Sequence, residues 1–213
     1  MNPYLNDSAC AARTTRAARR PGVLLVMAAF CVVGGVSLKA TTAPATPPSP
    51  AARPRVGDQA PAFVLKTIDK ADPRSLNDLI HAPDRRGAVL VFVSARCPYV
   101  AQARQPLGDL FRQYGGTVTF AGLNSNQNES ADDVKNDAAY NFPFSILRDQ
   151  GSKVADLYGA ERTPEVFLID AKGVIRYHGG VADLGAALGD FTAGRTVAKS
   201  EAKAFGCTIK RRP

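Results

Sequence analysis

The chain has 213 residues, 45% hydrophobic and 22% charged, which is enough for one α/β domain with appendages and short for two full domains. Its net charge of +8 is concentrated at one end: residues 1–40 carry five Lys/Arg against one acid, leaving 22 basic and 18 acidic groups in the rest. Apart from Lys210, Arg211 and Arg212, those charges are scattered and form no basic stripe interleaved with aromatics, so no nucleic-acid partner is expected.

At the amino terminus, Arg13, Arg16, Arg19 and Arg20 precede an apolar run over residues 22–36, and small residues follow. Basic, apolar and small in that order is the layout of a secretory signal. The run is also near the length at which a segment can stay in the bilayer as an anchor, so residues 1–40 read as a signal peptide or an amino-terminal membrane anchor. The positive-inside rule then puts the body outside the cytoplasm, in the periplasm or an equivalent oxidising space, tethered to the inner membrane if the segment is kept. Cys31 inside the apolar run reads as a small hydrophobic residue, and Cys10 has no partner motif. Residues 41–55, rich in Pro, Ala and Thr without apolar periodicity, read as a linker.

Residues 56–193 alternate strand and helix patterns. An extended lead-in over 56–68 precedes a short helical turn at 75–80. The apolar, β-branched run at 88–95 has the length and composition of a strand buried on both faces. Pro98 suits the first turn of a helix, which Gly115-Gly116 would end near residue 114. In that helix Leu107, Leu110, Phe111 and Tyr114 recur at helical spacing, a core-facing stripe. A second strand at 118–124 leads through an Asn/Ser-rich loop to a helix near 131, whose start carries Asp132 and Asp133; Glu129 reads with them as part of a solvated helix start. Short strand and helix patterns at 144–147 and 151–158 are followed by a hairpin over 165–178, a helix over 183–191 and a basic tail over 194–213. The pattern predicts an α/β domain: a mixed central sheet with helices on both faces.

Chemistry concentrates at Cys97, where a buried strand would meet a helix amino terminus. Unpaired backbone N–H groups and the positive end of the helix dipole favour thiolate over thiol, and Arg96 adds positive potential. Position and the following proline favour a reactive thiol over an inert buried one. Thr163-Pro164, directly before EVFLID, is by itself a turn marker; with a cis bond it would present backbone to an extended substrate. His81 and His178 lie far apart and lack metal-ligand spacing, so surface or capping roles are expected, with no metal and no cofactor.

CPYV at 97–100 after an apolar strand, Thr163-Pro164 before EVFLIDAKGVIRYHG, VGDQAPAF in the lead-in and GCTIK at 206–210 together resemble the thioredoxin superfamily. The closer similarity is to redoxin or peroxiredoxin-like proteins of the alkyl hydroperoxide reductase C and thiol-specific antioxidant group. The resemblance implies a thioredoxin fold over about residues 55–190. Departures bear on mechanism. Val100 stands where a thioredoxin has its second cysteine, and Val91 where it has a buried acid. Leu90 replaces the proline of the peroxidatic motif, Ser94 stands at its threonine, and its pocket arginine has no clear counterpart.

A thiol without a neighbouring cysteine needs a distant one to resolve it. Cys207 can attack an oxidised Cys97 if the tail folds back; a static Cys97 to Cys207 disulfide and an unpaired tail thiol are the alternatives. The expected activity is an exported thiol-dependent oxidoreductase, by disulfide exchange or thiol peroxidase-like chemistry. Its nucleophile would be Cys97, its partners a protein or small-molecule disulfide or hydroperoxide and a reductant that the sequence does not identify. The rival expectation is a non-catalytic thioredoxin-fold module that holds an extended peptide at Thr163-Pro164.

Overall fold

The computed structural model describes residues 53–136 and 141–211. The amino-terminal segment with Cys10 and Cys31, most of the linker, residues 137–140 and Arg212 lie outside the described residues.

In chain order the elements are β1 (Val64–Thr67), β2 (Pro73–Ser75), α1 (Leu76–Ile80), β3 (Gly87–Val93), α2 (Pro98–Tyr114), β4 (Thr119–Asn124), α3 (Ala131–Asn136), β5 (Ile146–Arg148), α4 (Lys153–Tyr158), β6 (Arg162–Thr163), β7 (Glu165–Asp170), β8 (Ile175–Gly179), α5 (Leu184–Thr192) and β9 (Cys207–Thr208). Seven strands form one mixed sheet in the order β2-β1-β5-β4-β3-β7-β8, with β3-β4 and β4-β5 parallel and the other neighbours antiparallel. The predicted mixed sheet with helices on both faces is what the chain adopts, and it is the thioredoxin fold.

β3 shows why its sequence is continuously apolar rather than alternating. Val89, Val91 and Val93 pack on one side with Val100 and Leu107 of α2 and Leu184 and Leu188 of α5. Ala88, Leu90 and Phe92 pack on the other with Leu79 and Ile80 of α1 and Val154 and Tyr158 of α4. Both faces are covered, so every side chain must leave water. The strand opens on Gly87, where a Cβ would lie 2.1 Å from the Ile169 carbonyl oxygen of β7. It ends at Val93, two residues earlier than expected: the Cys97 N–H donates to the Ser94 carbonyl at 3.3 Å, turning 94–97 out of the sheet.

Two segments differ from the sequence expectation. The end of the extended lead-in, β1, is one arm of a hairpin that the sequence reading did not contain, since it pairs with β2 through the register Val64 to Ser75. Ser75 then caps α1 reciprocally with Asp78, whose carboxyl is held below the usual carboxylate range by the Ser75 backbone and hydroxyl hydrogen bonds. The segment from residue 194 onward, expected as an appended basic tail, packs against the body as far as it is described. The His178 N–H donates to the Ser200 carbonyl and the Ala202 N–H to the His178 carbonyl, both at 3.0 Å, and β9 pairs antiparallel with β6. Ile209, 3% exposed, joins the cluster of Phe63, Leu90 and Tyr158. Burying that aliphatic side chain contributes about 1.5–3 kcal/mol toward holding the tail down.

Candidate functional site

Cys97 caps the amino terminus of α2, with extended backbone at φ −97° and ψ 115° and Pro98 as the first helical residue. Pro98 has no N–H to leave unpaired, and its fixed φ suits the first turn. The cap is 1% exposed. Its sulfur lies 3.1 Å from the Thr163 carbonyl oxygen, to which the protonated thiol donates. The Thr163-Pro164 bond is cis, and β6 turns there into β7.

Opposite Thr163 in the β6-β9 register is Cys207. Gly206 makes the approach feasible: a Cβ there would sit 2.0 Å from the Thr163 carbonyl oxygen. The two cysteines are free thiols, Cys97 buried and Cys207 half-buried, and both pack in the same apolar cluster. Burial pushes the Cys97 thiol up. The Cys207 thiol, the Thr163 side chain, the Val100 N–H in the first helical turn and the Cys207 backbone more than offset it, leaving Cys97 below the usual thiol value. Cys207 is pushed up to about 11 by burial, by its hydrogen bond to Cys97 and by the charge there, against small opposing effects of Lys210 and the Tyr99 N–H. Of the two, Cys97 is the thiol that ionises more readily.

The structure thus brings Cys97, Cys207, Thr163 and Pro164 together. Arg96 turns elsewhere: its guanidinium is 3.6 Å from Asp133 of α3, and the groups that lower Cys97 are hydrogen-bond donors around the sulfur rather than this cation. Beside the thiols runs a groove of about 600 Å³, lined by Tyr99, Ala103, Leu110, Pro164, Val181 and Phe205 among others. His81 Nδ1 meets the Asn77 carbonyl at the end of α1, a capping role. His178 pairs with the buried Glu165 at 2.7 Å and stacks on Phe167. Glu165 in turn accepts the backbone N–H groups of Glu161 and Arg162, each at 2.8 Å, and so braces the strand that leads to Thr163. Among the described residues, no group of three or more His, Cys, Asp or Glu is arranged to hold a metal ion.

Glu129 corrects the sequence reading. It is not a solvated helix residue but 2% exposed, and its carboxylate accepts four hydrogen bonds. The donors are Ser94 Oγ at 2.5 Å, the Ala95 and Arg96 N–H groups at 3.1 Å each, and Asn124 Nδ2 at 2.6 Å. The hydroxyl three residues before Cys97, where the peroxidatic motif has threonine, is therefore committed to a carboxylate. The available clue was composition: NSNQNE directly after a buried strand holds more amide and carboxylate groups than a solvated turn needs.

Among the solved structures similar to this chain are two that cover about three quarters of it. An uncharacterised conserved protein from Geobacillus kaustophilus is 27% identical, with a TM-score of 0.67 over 75% of this chain and 93% of its own. A hypothetical protein from Sinorhizobium meliloti 1021 is 29% identical, with a TM-score of 0.65 over 73% and 94%. The peroxidoxin BcpB from Mycobacterium tuberculosis, at 22% identity and a TM-score of 0.53 over 67% and 99%, shares the fold. No curated protein matches the sequence significantly. The model of the AhpC/TSA family matches residues 56–178, a span that runs from the lead-in through Cys97 and Pro164 to β8. The chain therefore belongs to the AhpC/TSA family, with the thioredoxin fold.

Proposed function

We propose that the protein is a thiol-dependent oxidoreductase in which Cys97 is the nucleophile and Cys207 resolves the intermediate within one chain. The observation that carries this reading is that the Thr163 carbonyl receives the Cys97 thiol while Cys207 stands opposite Thr163 in the β6-β9 pair; the first thiol is lowered and the second raised. A low-pKa thiolate attacks, and a partner already in place ends the reaction.

In disulfide exchange, the Cys97 thiolate attacks one sulfur of a substrate disulfide and expels the other half as thiolate. Cys207 then attacks Cys97 in the mixed disulfide, passing its proton to the second departing thiolate. The substrate leaves as two thiols, the chain holds a Cys97 to Cys207 disulfide, and an external dithiol reduces it. With a hydroperoxide, Cys97 takes the distal oxygen as sulfenic acid and releases an alcohol; Cys207 then forms the same disulfide and releases water. The engagement of Ser94 with Glu129 favours disulfide exchange, because that hydroxyl is already spent. The chain's own tail lies on the Thr163 edge, where the rival peptide-holding module would place its ligand. Arg13 to Arg20 and the apolar run at 22–36 support export, with the amino-terminal segment as signal or inner-membrane anchor.

The test is turnover of small-molecule disulfide and of hydroperoxide by the reduced full chain, compared with Cys97→Ser and Cys207→Ser. Cys97→Ser abolishes turnover, and Cys207→Ser leaves a trapped mixed disulfide or sulfenic acid on Cys97. Undiminished activity of Cys97→Ser overturns the reading.

A further inference from the structure

The two cysteine-bearing segments are far apart in sequence, and the same polar loop grips both. On one side, Glu129 accepts the N–H groups of Ala95 and Arg96 and the hydroxyl of Ser94, the three consecutive residues that lead into Cys97. On the other, Asn126 Oδ1 accepts the Lys210 N–H at 2.9 Å, while the Gln127 N–H donates to the Lys210 carbonyl at 2.7 Å. Asn126 also donates through Nδ2 to the Val93 carbonyl at 3.2 Å, so one amide ties the end of β3 to the tail. The loop is itself anchored: Arg148 donates to the Asn124 side chain, to the Asn126 carbonyl at 2.9 Å and to the Glu129 carbonyl at 2.8 Å. Glu129 and Asn126 are both almost fully buried. Their hydrogen bonds are shielded from water, and losing one partner leaves a buried polar group unsatisfied.

We infer that the 124–129 loop is the clamp that registers the two thiols, with Glu129 as the positioning residue for the Cys97 turn and Asn126 as the positioning residue for the Cys207 strand. The inference rests on the Cys97 to Cys207 reading above. Glu129 and Asn126 bond to the flanking backbone rather than to the sulfurs. Each acts through the segment it holds, by restricting the separations that the thiols sample and so raising the effective concentration of one at the other. Groups of either charge surround the corner: Arg96 and Asp133 on the α2 and α3 side, Arg148 behind the loop, and Lys210 beside Cys207. Glu129 is the carboxylate bonded to the turn. As a bare charge it would disfavour a thiolate, whereas as a clamp it favours one by keeping the donors around Cys97 in place.

The reduced full chain, equilibrated with oxidised and reduced glutathione and quenched with acid, reports this directly. Two glutathione thiols form for each Cys97 to Cys207 disulfide, which is counted by peptide mass. The expected result is that Glu129→Gln and Asn126→Ala each lower that equilibrium constant by about tenfold. Glu129→Gln also moves the pH midpoint of Cys97 alkylation upward, because an amide nitrogen then faces N–H donors. Glu129→Asp keeps the charge and loses the reach, so it moves the midpoint the same way and serves if Glu129→Gln fails to fold. Variants that lose thermal stability yet keep the wild-type constant and midpoint overturn the clamp, as does a downward midpoint in Glu129→Gln. A wild type that forms no Cys97 to Cys207 disulfide at any glutathione ratio overturns the functional reading and the clamp with it. A wild type that forms the disulfide while the variants match it overturns the clamp alone.

Discussion

Cys207 stands directly across from Thr163 in an antiparallel pair, and Thr163 is the residue whose carbonyl receives the Cys97 thiol. One backbone position thus orders both sulfurs. Cys97 and Cys207 are remote along the chain, and the β6-β9 pairing is what closes that gap and makes the tail part of the site.

The proton distribution between the thiols predicts a pH profile. Cys97 has a lowered pKa, so its thiolate persists to lower pH than that of an exposed, unpartnered cysteine, and alkylation followed by peptide mass gives a midpoint below that of such a thiol. In Cys207→Ala the midpoint rises, since a leading donor to the thiolate is removed while burial still opposes charge. A midpoint that stays in place in this variant shows that Cys207 does not stabilise the thiolate.

Ser94→Ala separates two chemistries. Its hydroxyl donates to the buried Glu129 carboxylate, so its removal costs about 1.5–3 kcal/mol of stability, while the Ala95 and Arg96 N–H bonds to Glu129 remain and the Cys97 alkylation rate changes by less than about threefold. Disulfide turnover follows that rate. A collapse of hydroperoxide turnover with disulfide turnover preserved would show Ser94 acting on a peroxide.

Gly206→Ala is expected to expel the tail strand. The added Cβ meets the Thr163 carbonyl at 2.0 Å, and backbone on both sides prevents easy relief, a conflict of about 1–3 kcal/mol. Glutathione equilibration then finds less Cys97 to Cys207 disulfide, and protease cuts the tail sooner than in wild type. A variant with wild-type disulfide content and protease resistance shows that the strand pairing is dispensable.

Ile209→Ala tests the apolar anchor of the same strand. Truncating this buried aliphatic side chain costs about 2–5 kcal/mol if the tail stays docked, and less if the tail detaches locally. Hydrogen exchange distinguishes these: early exchange confined to residues 206–211 marks local release, whereas a uniform loss of protection marks global destabilisation.

How far the sequence could be read follows from which forces act locally. The continuous apolar run of β3, Pro98 opening α2 and the Gly-Gly that ends it are local signals, and they marked the strand-to-helix corner at Cys97. The hairpin at β1-β2 escaped because its partner is an exposed three-residue edge strand without apolar periodicity. Glu129 escaped for a different reason. A carboxylate near a helix start is usually solvated, and only the folded chain shows four donors converging on it from 94–96 and Asn124.

Sequence by itself determined that a buried strand delivers a lone cysteine to a helix amino terminus, because hydrophobic pattern and proline chemistry act over a few neighbouring residues. It also showed that no second cysteine stands nearby, and so raised Cys207 as a candidate partner. Only the tertiary structure decided that Cys207 is brought to the Cys97 corner through Thr163, that Arg96 faces Asp133, and that a buried carboxylate supports the turn. Each depends on strand register and long-range hydrogen bonds, whose partners are chosen when the chain closes on itself.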